Sequence, residues 1–135
     1  MKQQLINYND CQFIIEGNTL ISYAGSRSNI VISDHISIIG PAAFKNNDCI
    51  RSLVLGDCVT EIKEDAFCNC KKLKHIFLSK SVKSIGQCAF TNIDSDCLVI
   101  FDGTVDEYNK ILRGEPFTKV HCTDGLFSNY NIDIL

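Results

Sequence analysis

The cysteines of the segment Cys68-Asn69-Cys70 have the greatest capacity for chemistry in this sequence, because thiolates bind zinc and act as nucleophiles. A structural zinc site, however, needs four ligands arranged as a tetrahedron. A 23-residue repeat places Cys70 in a column with Ile93, which should face the interior, and Cys68 in a column with Lys45, which should face solvent. One thiol pointing inward and one pointing outward do not hold the same ion, so the sequence predicts no metal site.

The histidines and hydroxyl groups show no catalytic pattern. A serine or cysteine nucleophile needs a base held within hydrogen-bonding distance, and His35, His75 and His121 each stand alone in separate segments. The sequence contains no nucleophile elbow, phosphate-binding loop or His-Glu-x-x-His segment. It therefore predicts a non-enzymatic protein that uses no cofactor.

The charge distribution disfavours nucleic acid as a ligand. The 135 residues include 13 basic and 16 acidic side chains, which give a net charge of -3 and form no basic run. A surface that binds a phosphate backbone needs clustered positive charge. We therefore expect a protein partner, whose identity the sequence does not encode.

The distribution of apolar residues and cysteines predicts a cytoplasmic protein with no membrane association. No segment approaches the roughly 20 apolar residues that span a bilayer, and the N-terminal segment lacks the apolar stretch of an export signal. The eight cysteines are then expected to be free thiols, since a reducing compartment disfavours disulfides.

Internal repetition is the strongest structural signal in the chain. An Ala-Phe pair recurs every 23 residues and is followed each time by an asparagine. This spacing predicts coils stacked into a solenoid, because each coil has an apolar face that only the next coil can bury. The phenylalanines should form a ladder in the core, and the asparagines should hydrogen-bond to backbone groups at the bend. The two columns are Phe44, Phe67 and Phe90, and Asn46, Asn69 and Asn92.

One unit of the repeat has the order Val-x-x-Ile, Ala-Phe, Cys and Leu-x-x-Ile, which is supplied by Val59, Ile62, Ala66, Phe67, Cys70, Leu73 and Ile76. With this pattern the chain resembles the BspA-like leucine-rich repeat family, a bacterial type of repeat protein. The resemblance implies a β-rich α/β leucine-rich repeat solenoid in which three to four repeats form a short parallel sheet. Asp96 departs from the pattern, since Ile50 and Leu73 are aliphatic at that position.

Segments at both ends of the repeats are expected to cover the open ends of the stack. Strands at 13–15 and 20–24 predict an N-terminal β-hairpin cap. Thr104 and Glu107 predict a capping box for a helix reaching about Leu112, and Val120-His121-Cys122 predicts a last strand. The expected division of the single domain 1–135 is an N-terminal cap at 1–29, repeats at 30–102 and a C-terminal cap at 103–135.

The outward face of the repeat sheet is the predicted binding surface. Side chains alternate along a strand, so if Leu53 and Leu55 face the core, then Ser52 and Val54 face outward. Reading these offsets across the repeats gives one apolar row, a mixed row beside it and a third row at the strand ends. The rows are Val31, Val54, Phe77 and Ile100; Asn29, Ser52, His75 and Leu98; and Ser33, Gly56, Ser79 and Asp102.

An apolar row with polar margins is typical of protein contacts, with an aromatic residue such as Phe77 as the anchor. The leading hypothesis is therefore a protein-interaction module that binds a macromolecular partner through Val31, Ser52, Val54, His75, Phe77, Leu98 and Ile100. The same row could instead be covered by the C-terminal tail or by a second copy of the chain. The family resemblance implies one alternative, a cell-surface or secreted adhesin-type fragment, and small acidic proteins also serve as inhibitors or decoys of other macromolecules. A homodimer through a terminal strand or through the apolar row is a further hypothesis.

Overall fold

A computed structural model describes residues 3–8, 11–32, 34–111, 117–127 and 132–133, which form a β-solenoid. The predicted alternation of strand and turn is present in every coil. In chain order the elements are β1 (Gln3–Tyr8), β2 (Cys11–Glu16), β3 (Thr19–Tyr23), β4 (Asn29–Ile32), β5 (Ile38–Ile39), β6 (Ser52–Leu55), β7 (Glu61–Ile62), β8 (His75–Ser79), β9 (Ser84–Ile85), β10 (Leu98–Asp102), α1 (Val105–Ile111), β11 (Lys119–Cys122), β12 (Gly125–Phe127) and β13 (Ile132–Asp133).

The strands form two sheets on opposite walls of the coil stack. Sheet 1 has the order β1-β2-β3-β5-β7-β9, and sheet 2 has the order β13-β12-β11-β10-β8-β6-β4. Within the repeats both sheets are parallel, and paired residues are 23 apart, as with Val31 and Val54 in sheet 2 or Ile39 and Ile62 in sheet 1. The predicted parallel sheet corresponds to sheet 2. The sequence did not predict the repeat strands of sheet 1, which are only two residues long.

A third set of backbone bonds joins the coils at the Ala-Phe corner. Alternate amides along this corner donate to carbonyls of the next coil, and the amides between them close turns within their own coil. The bonds between coils run from Ala42 to Glu64, from Phe44 to Ala66 and from Asn46 to Cys68, at 3.0, 2.7 and 2.9 Å. Backbone groups that would otherwise be buried without partners are thus satisfied by the neighbouring coil.

Asparagine has a conformational role at this corner. Asn46, Asn69 and Asn92 have φ values of 65°, 63° and 62°, in the left-handed region that asparagine tolerates better than most residues. Their side chains do not bond to the backbone as the sequence suggested. The side-chain amides of Asn69 and Asn92 instead donate to the asparagine one coil earlier, because identical side chains stacked at similar φ place a donor beside an acceptor. The neighbouring Asn47 has the expected backbone role, since its Oδ1 accepts the amides of Cys49 and Ile50.

The core contains a continuous column of aromatic rings. Phe44, Phe67 and Phe90 are stacked nearly parallel, with centroids 4.8 and 5.2 Å apart and interplanar angles of 12° and 7°. Tyr23 extends the column before Phe44 at 5.3 Å, and Phe117 extends it after Phe90 at 5.0 Å, both with tilted rings. The end rings come from the caps, so the caps bury the faces of the ladder that the repeats alone would leave exposed.

The third coil accommodates the irregular residue Asp96 by a shift of one position. Asp96 is exposed, and the following residue, Cys97, is only 2% exposed. The amide of Cys97 bonds to the carbonyl of Asp94, as that of Leu73 bonds to Cys70, so Cys97 takes the place of the interior leucine. Leu98 nevertheless pairs with His75, which shows that the loop absorbs the shift before the strand begins.

The caps continue the two sheets at opposite ends. At the N-terminus β2 and β3 form the predicted hairpin, and β1, which the sequence did not predict, pairs antiparallel with β2. At the C-terminus Thr104 and Glu107 form the predicted capping box at 3.0 and 3.2 Å, and the bond from the Thr104 amide lowers the pKa of Glu107. Helix α1 ends at Ile111, and Leu112 lies outside the described residues. The division of the chain at residues 29 and 103 stays a prediction.

Candidate interaction surface

Four apolar side chains lie in one row across the outward face of sheet 2, and we call Val31, Val54, Phe77 and Ile100 the apolar row. The strand register pairs Val31 with Val54, Val54 with Phe77, and Phe77 with Ile100, so that each member is beside the next. Backbone hydrogen bonds on both sides of the inner strands hold the row in place. The surface is therefore formed before any partner arrives.

The members of the apolar row differ in exposure. Val31 is 65% exposed and Phe77 is 39% exposed, and these are the exposed large hydrophobic residues of the described surface. Val54 and Ile100 are half-buried. Leu53, Ile76 and Val99, which alternate with them, are fully buried, as the strand period requires.

A second row of mixed character borders the apolar row at the N-terminal ends of the strands. His75 is exposed and lies between Ser52 and Leu98, both half-buried. Lys119 pairs with Leu98 in the last coil, and His121 pairs with Ile100 and ends the apolar row. The apolar row thus has a polar or ionisable boundary on this side and at its C-terminal end.

The residues of the third predicted row differ in their exposure to solvent. Ser79 is only 6% exposed, and its hydroxyl oxygen accepts a hydrogen bond from the amide of Ser81. Gly56 is half-buried, Asp102 is exposed, and Ser33 lies outside the described residues.

A groove of about 450 Å³ lies beside the third row and is lined by acidic and basic side chains, among them Asp102 and Lys80. Charges of both signs select no single class of ligand.

The residues with capacity for chemistry are dispersed. Within the described part of the chain, no group of three or more His, Cys, Asp or Glu residues could hold a metal ion. Cys70 is buried at 0% exposure, as its repeat column predicted, whereas Cys68, which was expected to face solvent, is half-buried. Burial raises the pKa of Cys70 and of Cys97 to about 12, so both thiols are neutral and poor nucleophiles at physiological pH.

The stacked coils, the two parallel sheets and the apolar interior define a leucine-rich repeat solenoid. The family model of the BspA type leucine rich repeat region matches residues 17–112, which is more than two thirds of the chain. This chain therefore belongs to that family. The match begins inside the hairpin cap and extends to the end of the helix, so it includes parts of both predicted caps.

Solved structures confirm the predicted fold class. A leucine-rich repeat protein from Bacteroides capillosus is similar at a TM-score of 0.61 and 17% identity, over 87% of this chain and 97% of that protein. A leucine rich cell surface protein from Faecalibacterium prausnitzii is similar at a TM-score of 0.55 and 23% identity, over 92% of this chain and 44% of that protein. A leucine-rich repeat protein from Bacteroides ovatus is similar at 0.53 and 24%, over 86% of this chain and 31% of that protein. The chain spans less than half of the last two proteins.

Two further findings assign no function to the chain. No curated protein matches this chain in sequence. Among the described residues, no helix has the length and apolar character needed to cross a membrane.

Proposed function

We propose that this chain is a non-enzymatic protein-interaction module that binds a macromolecular partner on the outward face of sheet 2. The observation that carries the proposal is the apolar row, in which Val31 and Phe77 are 65% and 39% exposed on a rigid sheet. Apolar side chains arranged contiguously on a surface contribute binding energy when a partner removes them from water. A preformed surface also binds with little loss of conformational entropy.

Phe77 is the expected anchor of the contact. Aromatic residues near the centre of an interface contribute more binding energy than most other residues, and Phe77 lies between Val54 and Ile100. His75 and Ser52 border it and can form hydrogen bonds at the margin of the contact. The proposed binding residues are those predicted from the sequence: Val31, Ser52, Val54, His75, Phe77, Leu98 and Ile100.

Affinity capture of the full chain from its native cells, with quantitative mass spectrometry, tests this proposal. Phe77→Ser should lower the recovery of a specific protein by about tenfold or more, which is the effect of losing an interface anchor. Lys45→Ser, an exposed change at the Ala-Phe corner, should leave recovery unchanged. Thermal unfolding should show that both variants are folded. Equal recovery of every captured protein by Phe77→Ser and by the unchanged chain would contradict the proposal.

We also propose a cytoplasmic location, which is supported by the cysteines. Seven of the eight cysteines are free thiols: Cys49, Cys58, Cys68, Cys70, Cys88, Cys97 and Cys122. An oxidising compartment would favour disulfides between such residues. A cell-surface location, as named for the Faecalibacterium prausnitzii protein, is the alternative. Digestion of intact cells with protease separates the two, because only a surface protein would be lost.

A further inference from the structure

In the part of the chain that the structure describes, sheet 2 has an open edge at its N-terminal end. Sheet 1 is continued at that end by β3, β2 and β1, whereas sheet 2 stops at β4. Among the described residues, β6 is the one strand that pairs with β4. A terminal strand of this kind carries backbone donors and acceptors that a further strand can use. We call this side of β4 the β4 edge.

The backbone groups of Asn29 and Val31 face the β4 edge. The carbonyl of Ser28 accepts the amides of Arg51 and Ser52 at 2.7 and 3.0 Å, so it points toward β6. Successive residues of a strand direct their amide and carbonyl to opposite sides. The groups of Ile30 therefore also face β6, and those of Asn29 and Val31 face away. No described residue bonds to these outward groups.

The strand lacks the features that usually prevent pairing between sheet edges. Such features are a lysine, a proline, a bulge or a charged side chain on the edge strand. The sequence of β4 is Asn-Ile-Val-Ile, and its pairing with β6 runs without a register shift. Its most exposed side chain is the apolar Val31, at 65%. The opposite end of sheet 2 differs, since β12 and β13 continue it beyond β11.

We propose that the β4 edge pairs antiparallel with the β4 edge of a second copy of this chain, which joins two copies of sheet 2 into one continuous sheet. Antiparallel pairing about a two-fold axis brings the same strand to itself with complementary donors and acceptors. With Ile30 at the axis, Asn29 of each copy lies opposite Val31 of the other. Each such pair exchanges both backbone hydrogen bonds, so the outward groups of both residues are satisfied.

Charge complementarity favours a second copy over an unrelated peptide. Arg27 precedes β4 and Asp34 follows it. In the antiparallel arrangement the Arg27 end of one strand lies beside the Asp34 end of the other, which brings opposite charges together at both ends of the pairing. The outward side chains of both strands also lie on one face. Val31 of each copy lies beside Asn29 of the other on that face, so the two apolar rows meet the axis with an offset of two residues.

Sedimentation velocity of the full chain at increasing concentration tests the proposal. A monomer–dimer equilibrium is expected, and Val31→Pro should weaken dimerisation by at least about tenfold. Proline removes the outward amide of Val31 but no hydrogen bond within the chain, and edge strands tolerate it. Val31→Thr keeps both the amide and β-branching, so it is the matched control and should still dimerise. Thermal unfolding checks that both variants are folded.

Amide hydrogen exchange of the unchanged chain provides a test that needs no variant. Exchange at Asn29 and Val31 should slow as concentration rises, whereas Ile30, whose amide faces β6, should be protected at every concentration. A chain that is monomeric at all concentrations would overturn the proposal. So would a dimer that Val31→Pro leaves intact, or one that Phe77→Ser abolishes, since the latter would place the contact on the apolar row.

Discussion

The side-chain amide of Asn69 donates a hydrogen bond to the amide oxygen of Asn46 at 2.8 Å, one full coil away. Asn92 repeats the contact with Asn69 at 2.9 Å, and all three residues are in the left-handed backbone region. The same residue type therefore permits the bend within a coil and links that coil to the next. This double role is the physical reason for an asparagine at each corner.

Asn69 should contribute to stability through both effects. Replacing it with alanine puts a Cβ-bearing residue without a polar group at positive φ and removes two side-chain hydrogen bonds, so Asn69→Ala should lower the free energy of unfolding by about 2–3 kcal/mol. Asn69→Gly keeps the backbone conformation and should lose less. Urea denaturation measures both values. Equal losses in the two variants would contradict the proposed contribution of the left-handed conformation.

Phe67 should be the most costly ring to remove from the aromatic column. It is fully buried between Phe44 and Phe90, so Phe67→Ala leaves a cavity and should cost about 3–5 kcal/mol. Phe77→Ala removes the same side chain from the outward face and should cost less than about 1 kcal/mol. The two variants are compared by denaturant unfolding. A loss at Phe77 as large as that at Phe67 would show that the apolar row is part of the core.

The buried thiols predict a loss of stability in alkaline solution. The pKa of Cys70 and of Cys97 is raised to about 12 in the folded chain by burial, against an ordinary value of 9.0. At pH values below the pKa of the thiol in the unfolded chain, the thiol is protonated in both the folded and the unfolded state. Its contribution to the free energy of unfolding is then independent of pH. Above that pKa the unfolded thiol ionises while the folded one does not, so stability falls with pH until the folded pKa is reached.

Between about pH 8 and pH 10, each thiol should account for roughly 1 kcal/mol of this decrease. Cys97→Ala removes one titrating group, so its free energy of unfolding should fall less steeply with pH than that of the unchanged chain. Urea titrations at the two pH values give the slopes. Equal slopes for the variant and the unchanged chain would show that the pKa of Cys97 is the same in the folded and the unfolded state.

The capping box should stabilise the start of α1. The Thr104 hydroxyl accepts the amide of Glu107 at 3.2 Å, so Thr104→Ala should lower the free energy of unfolding by about 1 kcal/mol. Thr104→Ser retains the hydroxyl and should preserve most of the stability. Thermal unfolding of the two variants measures the difference. A melting temperature lowered equally in both would rule out the hydrogen bond as the cause.

The repeat architecture was predictable because it depends on equal spacing. Side chains 23 residues apart occupy equivalent places in successive coils, so the column of Phe44, Phe67 and Phe90 could be read from the sequence alone. Thr104 and Glu107 were predictable because a capping box is a local pattern. The rings of Tyr23 and Phe117 were not predicted, because the cap segments interrupt the 23-residue period. Sheet 1 was missed because strands of two residues carry no visible alternation.

The direction of each outward side chain also followed from strand alternation, but its exposure did not. Ser79 should face outward by that rule, yet it is only 6% exposed and accepts a hydrogen bond from the Ser81 amide. Asp96 stands at an interior position of the repeat, yet a shift of one residue puts Cys97 there instead. Both differences arise where a strand adjoins a turn, and local hydrogen bonds influence the path of the chain there as well as the repeat.

The sequence by itself determined the stack of coils, the identity of the core columns and the face on which the apolar row lies. These follow from periodicity, because each coil repeats the conformational and burial preferences of the last. Only the tertiary structure decided which sheet each cap extends, and therefore that β4 is the open edge among the described strands, with the backbone groups of Asn29 and Val31 facing outward. The pairing of a terminal strand depends on contacts between distant segments, and no repeated pattern within the chain encodes those contacts.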